Sequence, residues 1–98
     1  PMKTGRVIGN IWATRKADNL SGLKLLVVQP ISLLDDSPVD TPIVAADIIG
    51  AGTGEKVIYV GGSSARSAAG SREIPVDATI VGIVDDQEID ESLINGKR

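Results

Sequence analysis

A chain of 98 residues with no cysteine and no histidine makes one small domain. It cannot build a disulfide, a thiolate metal site or an imidazole proton relay, and the missing cysteines fit a reducing cytosol. A net charge of −3 and only two aromatic residues, Trp12 and Tyr59, argue against a nucleic-acid binder, which needs a basic surface or stacking platforms.

Hydrophobic residues make up 42% of the chain, enough for a globular fold rather than a disordered one. With no Phe, the core must come from Val, Ile, Leu and Ala. So lean a core leaves a thin stability margin, which subunit contacts would widen. No apolar run nears the roughly 20 residues of a membrane-spanning helix. The opening PMKTGRV has no signal-peptide core, and Pro1 ahead of Met2 reads as an addition to the chain. Charge is unevenly spread: Lys3, Arg6, Arg15, Lys16 and Lys24 face only Asp18 in the first 24 residues, while DDQEIDE (85–91) carries five acids and no base. Both read as solvated surface.

Along the chain, short β-rich segments alternate with turns. TGRVIGNIWAT (4–14) is a strand in which Gly5 and Gly9 mark a bend, a bulge or a close backbone approach. KADNLSGLK (16–24) is a turn or hairpin loop. LKLLVVQPI (23–31) is an unbroken apolar run, hence a buried strand with Pro30 near its end or on an edge. SLLDDSPVDTP (32–42) is a loop. IVAADIIG, EKVIYVG and ATIVGIVD (78–85) supply three more strands. Only SSARSAAGS looks helical, about two turns long, with Ser63 or Ser64 as its cap and Gly70 as its stop. Five short strands and one short helix predict an all-β fold, a small barrel of the five-stranded OB type. The end of the chain, ESLINGKR, has mixed polarity and predicts partial order.

The stretch DIIGAGTGEKVIYVGGSSAR (47–66) raises the question of a phosphate site. A dinucleotide fingerprint needs G-x-G-x-x-G opening a helix. Gly50 and Gly52 fit its first two positions, but the third falls on Glu55, and the sequence after it reads as a strand. The P-loop pattern fails because Glu55 separates Gly54 from Lys56. The nucleophile elbow G-x-S-x-G fails at Arg66, and no histidine exists to serve as its base. A structural reading suits the residues better. GAGTG has almost no side-chain volume, so it lets the backbone turn and lets another surface come close. Gly52, at its centre, needs to be glycine either for a left-handed φ or for a close neighbour. Glu55 and Arg66 are placed to pair with each other, to pair across a subunit boundary, or to stay solvated.

GAGTGE (50–55), VGGSSAR (60–66) and PVDATIVGIVD (75–85), with GRVIGNIWATRKADNLSGLKLLVVQPI before them, resemble the CcmL/EutN family of vertex proteins from bacterial microcompartment shells. The resemblance covers roughly residues 2–86 and leaves 87–98 as a C-terminal tail. It implies a β-barrel protomer that assembles as a cyclic homopentamer. Such pentamers sit at the vertices of a cytoplasmic shell, either a carboxysome or a metabolosome, whose facets are hexameric shell proteins. It implies a structural protein, not an enzyme, with no cofactor, metal, nucleic acid or membrane as partner. By analogy Gly50, Ala51, Gly52, Thr53, Gly54, Glu55, Ser63, Ser64, Ala65 and Arg66 form an assembly interface. The competing reading is an OB-type module for a small ligand or oligonucleotide.

Overall fold

A computed structural model describes residues 2–12, 23–69 and 76–94. Five strands form in chain order: β1 (Met2–Ile11), β2 (Lys24–Pro30), β3 (Ile43–Asp47), β4 (Lys56–Gly61) and β5 (Ala78–Ile83). Helix α1 (Gly62–Ala69) lies between β4 and β5. The strands close in the order β1-β2-β3-β5-β4, and β4 pairs back to β1. All seams are antiparallel except β3–β5, where Ala46 faces Thr79 and Asp47 faces Ile80 in parallel register. This is the small OB-like barrel expected from the strand count. Pro30 ends β2 inside a seam, opposite Gly5, rather than on an edge.

Period-two alternation decides which side chains go inside. Val7, Leu26, Val28, Ala45, Val57, Tyr59, Ala78 and Ile80 point inward and share one buried cluster with Ala51. The two glycines of β1 have different uses. At Gly5, a Cβ would collide with Val28 Cγ1 and crowd Gln29 O at 3.1 Å and Tyr59 Cε1 at 3.2 Å, so β1 needs glycine for close approach. Gly9 follows a register shift after Val7. The residue between, Ile8, is left exposed, and beyond it Gly9 and Ile11 are half-buried while Asn10, opposite Leu26, is exposed.

A second, smaller cluster lies outside the barrel wall. Ala46, Ala65 and Val76 are buried there, with Leu23, Leu25, Val60 and Ala69 packed against them. Helix α1 therefore covers outward-facing residues of β2, β3 and β4, which explains why Leu23–Ile31 reads as apolar on both faces. Thr79, also on the outer face, is fully buried, and its hydroxyl donates to Ala65 O at 2.6 Å. Gly62, with φ of +61°, leads into the helix, so Ser63 and Ser64 fall in its first turn rather than at its cap. The predicted stop at Gly70 and nearly all of the loop 16–24 lie outside the described residues. Trp12 lies beyond the end of β1 and is 88% exposed, so it is no part of the core. The acidic run 85–91 is exposed, as its composition predicts. It ends in a 3-10 turn, Glu91–Leu93, capped by Asp90.

Candidate assembly surface

The glycine loop is built from its own side chains. Asp47, at the end of β3, turns its carboxylate onto the loop, and Oδ1 accepts from Ile49 N at 3.0 Å and Gly50 N at 3.1 Å. Gly50 then takes a φ of +84°. The turn sends the Ala51 methyl into the barrel end, where it is fully buried in the main core. A tight turn follows, closed by Glu55 N donating to Gly52 O at 3.1 Å. Its third position, Gly54, has the positive φ, +93°, that a type II turn requires. The loop is then stitched to β1 by Gly54 N to Val7 O at 2.7 Å and Val7 N to Glu55 O at 3.0 Å.

One expectation changes here. The left-handed backbone falls on Gly50 and Gly54 and not on the central Gly52. A Cβ at Gly52 would meet only Glu55 Oε1, at 3.3 Å. Glu55 Oε1 accepts from Gly52 N at 2.6 Å, inside its own loop.

These bonds answer the phosphate question. An anion-binding loop presents free backbone N–H groups to its ligand. Here the amides of Ile49 and Gly50 are taken by Asp47, that of Gly52 by Glu55, that of Gly54 by Val7 O and that of Glu55 by Gly52 O. Two carboxylates of the chain already occupy the places an anion would take.

The two segments singled out in the sequence are not one contiguous site. Gly50–Glu55 leads into β4 and α1 leaves it, so they flank opposite ends of that strand. Within them Ala51 and Ala65 are fully buried in the protomer, so their side chains belong to the core and not to a contact face. Gly50, Thr53 and Gly54 are exposed, while Gly52 and Glu55 are half-buried. The side chains of Ser63, Ser64 and Arg66 lie outside the described residues.

Sequence pattern missed a polar network on the outside of β1 and β4. Asp36 takes a left-handed backbone, φ +59°, in the loop after β2. There its carboxylate meets Lys56 Nζ at 2.8 Å and Arg6 Nη2 at 3.3 Å. Arg6 also donates to Gly54 O at 2.9 Å. Lys56 donates to Gln87 Oε1 at 2.6 Å, and the Gln87 amide donates to Leu33 O at 2.6 Å. The loop 32–42 and the start of the tail are thus fastened to the barrel and to the glycine loop. Beside Asp36, hydrogen bonds from the Ser37 hydroxyl and amide hold the exposed Asp35 carboxyl below its ordinary range. The only signal for this site in the sequence is the pair of acids inside an otherwise turn-forming loop.

The barrel also leaves large apolar side chains in water. Ile8, Val44, Ile48 and Ile49 are all exposed, Ile48 and Ile49 at 45% and 39%. Ile48 and Ile49 directly follow the buried Asp47, so the anchor of the glycine loop turns two β-branched residues outward.

The family model described as "Ethanolamine utilisation protein EutN/carboxysome" matches residues 2–85. The shell vertex protein GrpN of the bacterial microcompartment of Rhodospirillum rubrum is 45% identical over 89 residues, covering 89% of this chain and 97% of that protein. The carboxysome shell vertex protein CcmL of a Synechocystis strain is 37% identical over 97 residues, covering 99% and 96%. The solved structure of GrpN, described as a pentameric microcompartment shell protein, superposes with a TM-score of 0.79 at 42% identity, over 89% of this chain and 99% of that one. With a matching barrel, a matching family model and relatives well above 30% identity along nearly the whole length, the chain belongs to the EutN/CcmL family.

Proposed function

We infer that this chain is a structural vertex subunit of a bacterial microcompartment shell. Five copies close into a ring, and the ring caps a corner where flat facets of hexameric tiles meet. The observation that carries this is the surface of the closed barrel. Its strands join in a ring, and the glycine loop's amides at residues 49, 50, 52, 54 and 55 are bonded within the protomer, yet it exposes large aliphatic side chains beside that loop. A surface of that kind serves packing by shape. A ring needs two different faces on each subunit, joined head to tail with a rotation that closes, and flat hexagonal layers need fivefold units to supply curvature.

In this reading residues 2–86 are the barrel unit of the ring and 87–98 a tail, and the shell lies in the cytoplasm. Gly50, Gly52, Thr53, Gly54 and Glu55 form one contact surface. Ser63, Ser64 and Arg66 form another, at the far end of β4, toward a neighbouring subunit or a tile. Ala51 and Ala65 support these surfaces from within. The family relatives carry shell vertex names rather than enzyme names, which favours this role over a ligand- or oligonucleotide-binding module.

The test is native mass in dilute solution. A single species near five times the 10.2 kDa of one chain is expected, and a monodisperse monomer or dimer at micromolar concentration overturns the ring. Expression with hexameric shell proteins then tests the corner: closed particles form with the chain and open sheets or tubes without it.

A further inference from the structure

We propose that Lys24 and Asp47 are a positioning pair that sets the conformation of the Gly50–Glu55 loop and, with it, the outward placement of Ile48 and Ile49 for a second copy of this chain. The part concerning a second copy rests on the vertex reading; the part concerning loop geometry does not.

Asp47 is the starting point. Its side chain is 1% exposed, which is a costly place for a carboxylate. Oδ1 is satisfied by the amides of Ile49 and Gly50. Oδ2 is buried, and among the described residues no group donates a hydrogen bond to it. The nearest opposite charge is Lys24 Nζ, 3.9 Å away. Lys24 faces Asp47 across the β2–β3 seam, so the sheet register itself brings them together.

Lys24 does more than neutralise. Its ammonium also donates to Ala51 O at 3.2 Å. One cation therefore touches both the acid that starts the loop turn and the carbonyl of the residue that plugs the barrel end. The carboxylate holds the loop at Ile49 and Gly50, and the ammonium holds it at Ala51. Between those points lies the left-handed Gly50, whose φ gives the loop its direction. Loss of either charge removes one of the two attachments and leaves Gly50 free to relax, and Ile48 and Ile49 move with it. The half-exposed Lys24 stem keeps the pair open to substitution without disturbing the core.

The experiment measures amide hydrogen exchange on the full chain together with native mass, in the parent, Lys24→Met, Lys24→Arg and Asp47→Ala. In Lys24→Met, Ile49 and Gly50 amides should exchange about tenfold faster relative to those of Leu26 and Val28, which report the barrel. The ring should fall apart at higher protein concentration in the same variant, and Lys24→Arg should restore both properties. A purely structural lysine would move the β2 reporters along with the loop. If Asp47→Ala does not fold, the Lys24→Met and Lys24→Arg comparison decides by itself. Unchanged loop exchange in Lys24→Met overturns the pair while leaving the vertex reading intact. Accelerated loop exchange in Lys24→Met, where the parent itself forms no ring, supports the pair and overturns the vertex reading.

Discussion

Gly5 and Val28 lie diagonally across the β1–β2 seam, so close that any side chain on residue 5 would run into Val28 Cγ1. The space is bounded on its other sides by Gln29 O at 3.1 Å and the Tyr59 ring at 3.2 Å. Gly5→Ala should therefore destabilise the barrel by about 1–3 kcal/mol, the range of an overpacked core. Chemical denaturation of the single variant and of Gly5→Ala with Val28→Ala tests this. The double variant should recover part of the clash energy and not all of it, since backbone and ring remain. Two independent, additive losses would show that the two positions are not in contact.

The glycine loop predicts an order among its own substitutions. Gly50 and Gly54 have left-handed φ values of +84° and +93°, and a Cβ added at either would meet nothing within 4 Å, so an alanine there faces backbone strain and not crowding. Each should cost about 1–2 kcal/mol. Gly52→Ala has no such strain and displaces only the end of the Glu55 side chain, so it should cost less than either. Thermal unfolding of the three variants gives the ranking, and Gly52→Ala as the most damaging of the three would overturn this account of the loop.

Nucleotides offer a direct check on the same loop. Its amides at residues 49, 50, 52, 54 and 55 already donate within the protomer. A phosphate would have to displace the Asp47 or Glu55 carboxylate. Calorimetric titration with ATP or NAD should show no binding tighter than about 1 mM, equivalent to roughly −4 kcal/mol, and saturable binding below that would overturn it.

How much of this could be read from the chain itself varies by element. The five strands and the helix were legible because the apolar run in LKLLVVQPI and the β-branched content of EKVIYVG are local properties of the sequence. GAGTGE could be marked as a turn that is not a phosphate site, because the failed spacing at Glu55 is also local. The roles of Ala51 and Asp47 were not legible. An alanine in a glycine run reads as small, and only barrel closure shows that its methyl fills a core vacancy. Lys24 and Asp47 are 23 positions apart in the numbering and meet only through the β2–β3 register. For the same reason Asp36, Arg6, Lys56 and Gln87, drawn from four separate segments, gave no joint pattern.

Asp36 combines an unfavourable backbone with favourable charges, and two substitutions separate them. Asp36→Ala loses the contacts to Lys56 and Arg6 and keeps the left-handed φ. Asp36→Gly loses the same contacts and relieves the backbone. The glycine variant should be more stable than the alanine variant by about 1 kcal/mol. Both should lie below the parent by about 1 kcal/mol or less from the charges, because Arg6 and Asp36 are well exposed. Equal stability of the two variants would show that residue 36 is not held left-handed in solution.

Tyr59 is the sole tyrosine, so tyrosinate absorbance reports it alone. Its ring forms part of the barrel core and is 6% exposed. Burial raises its pKa above the ordinary 10.0, and the negative charge of Asp40 raises it further. The folded state thus holds the phenolic proton more tightly than the unfolded chain does. The resulting stability is fully present below pH about 10 and is lost as the pH rises through the higher folded value. A spectroscopic titration of the folded protein should give a midpoint above 10.0. Asp40→Asn should lower that midpoint without bringing it down to the ordinary value, since burial is the larger cause. Denaturation midpoints should be insensitive to this group in neutral and mildly alkaline solution and should fall with pH beyond about 10. A folded-state midpoint at or below 10.0 would mean that water reaches the ring, and with it that this end of the barrel is open.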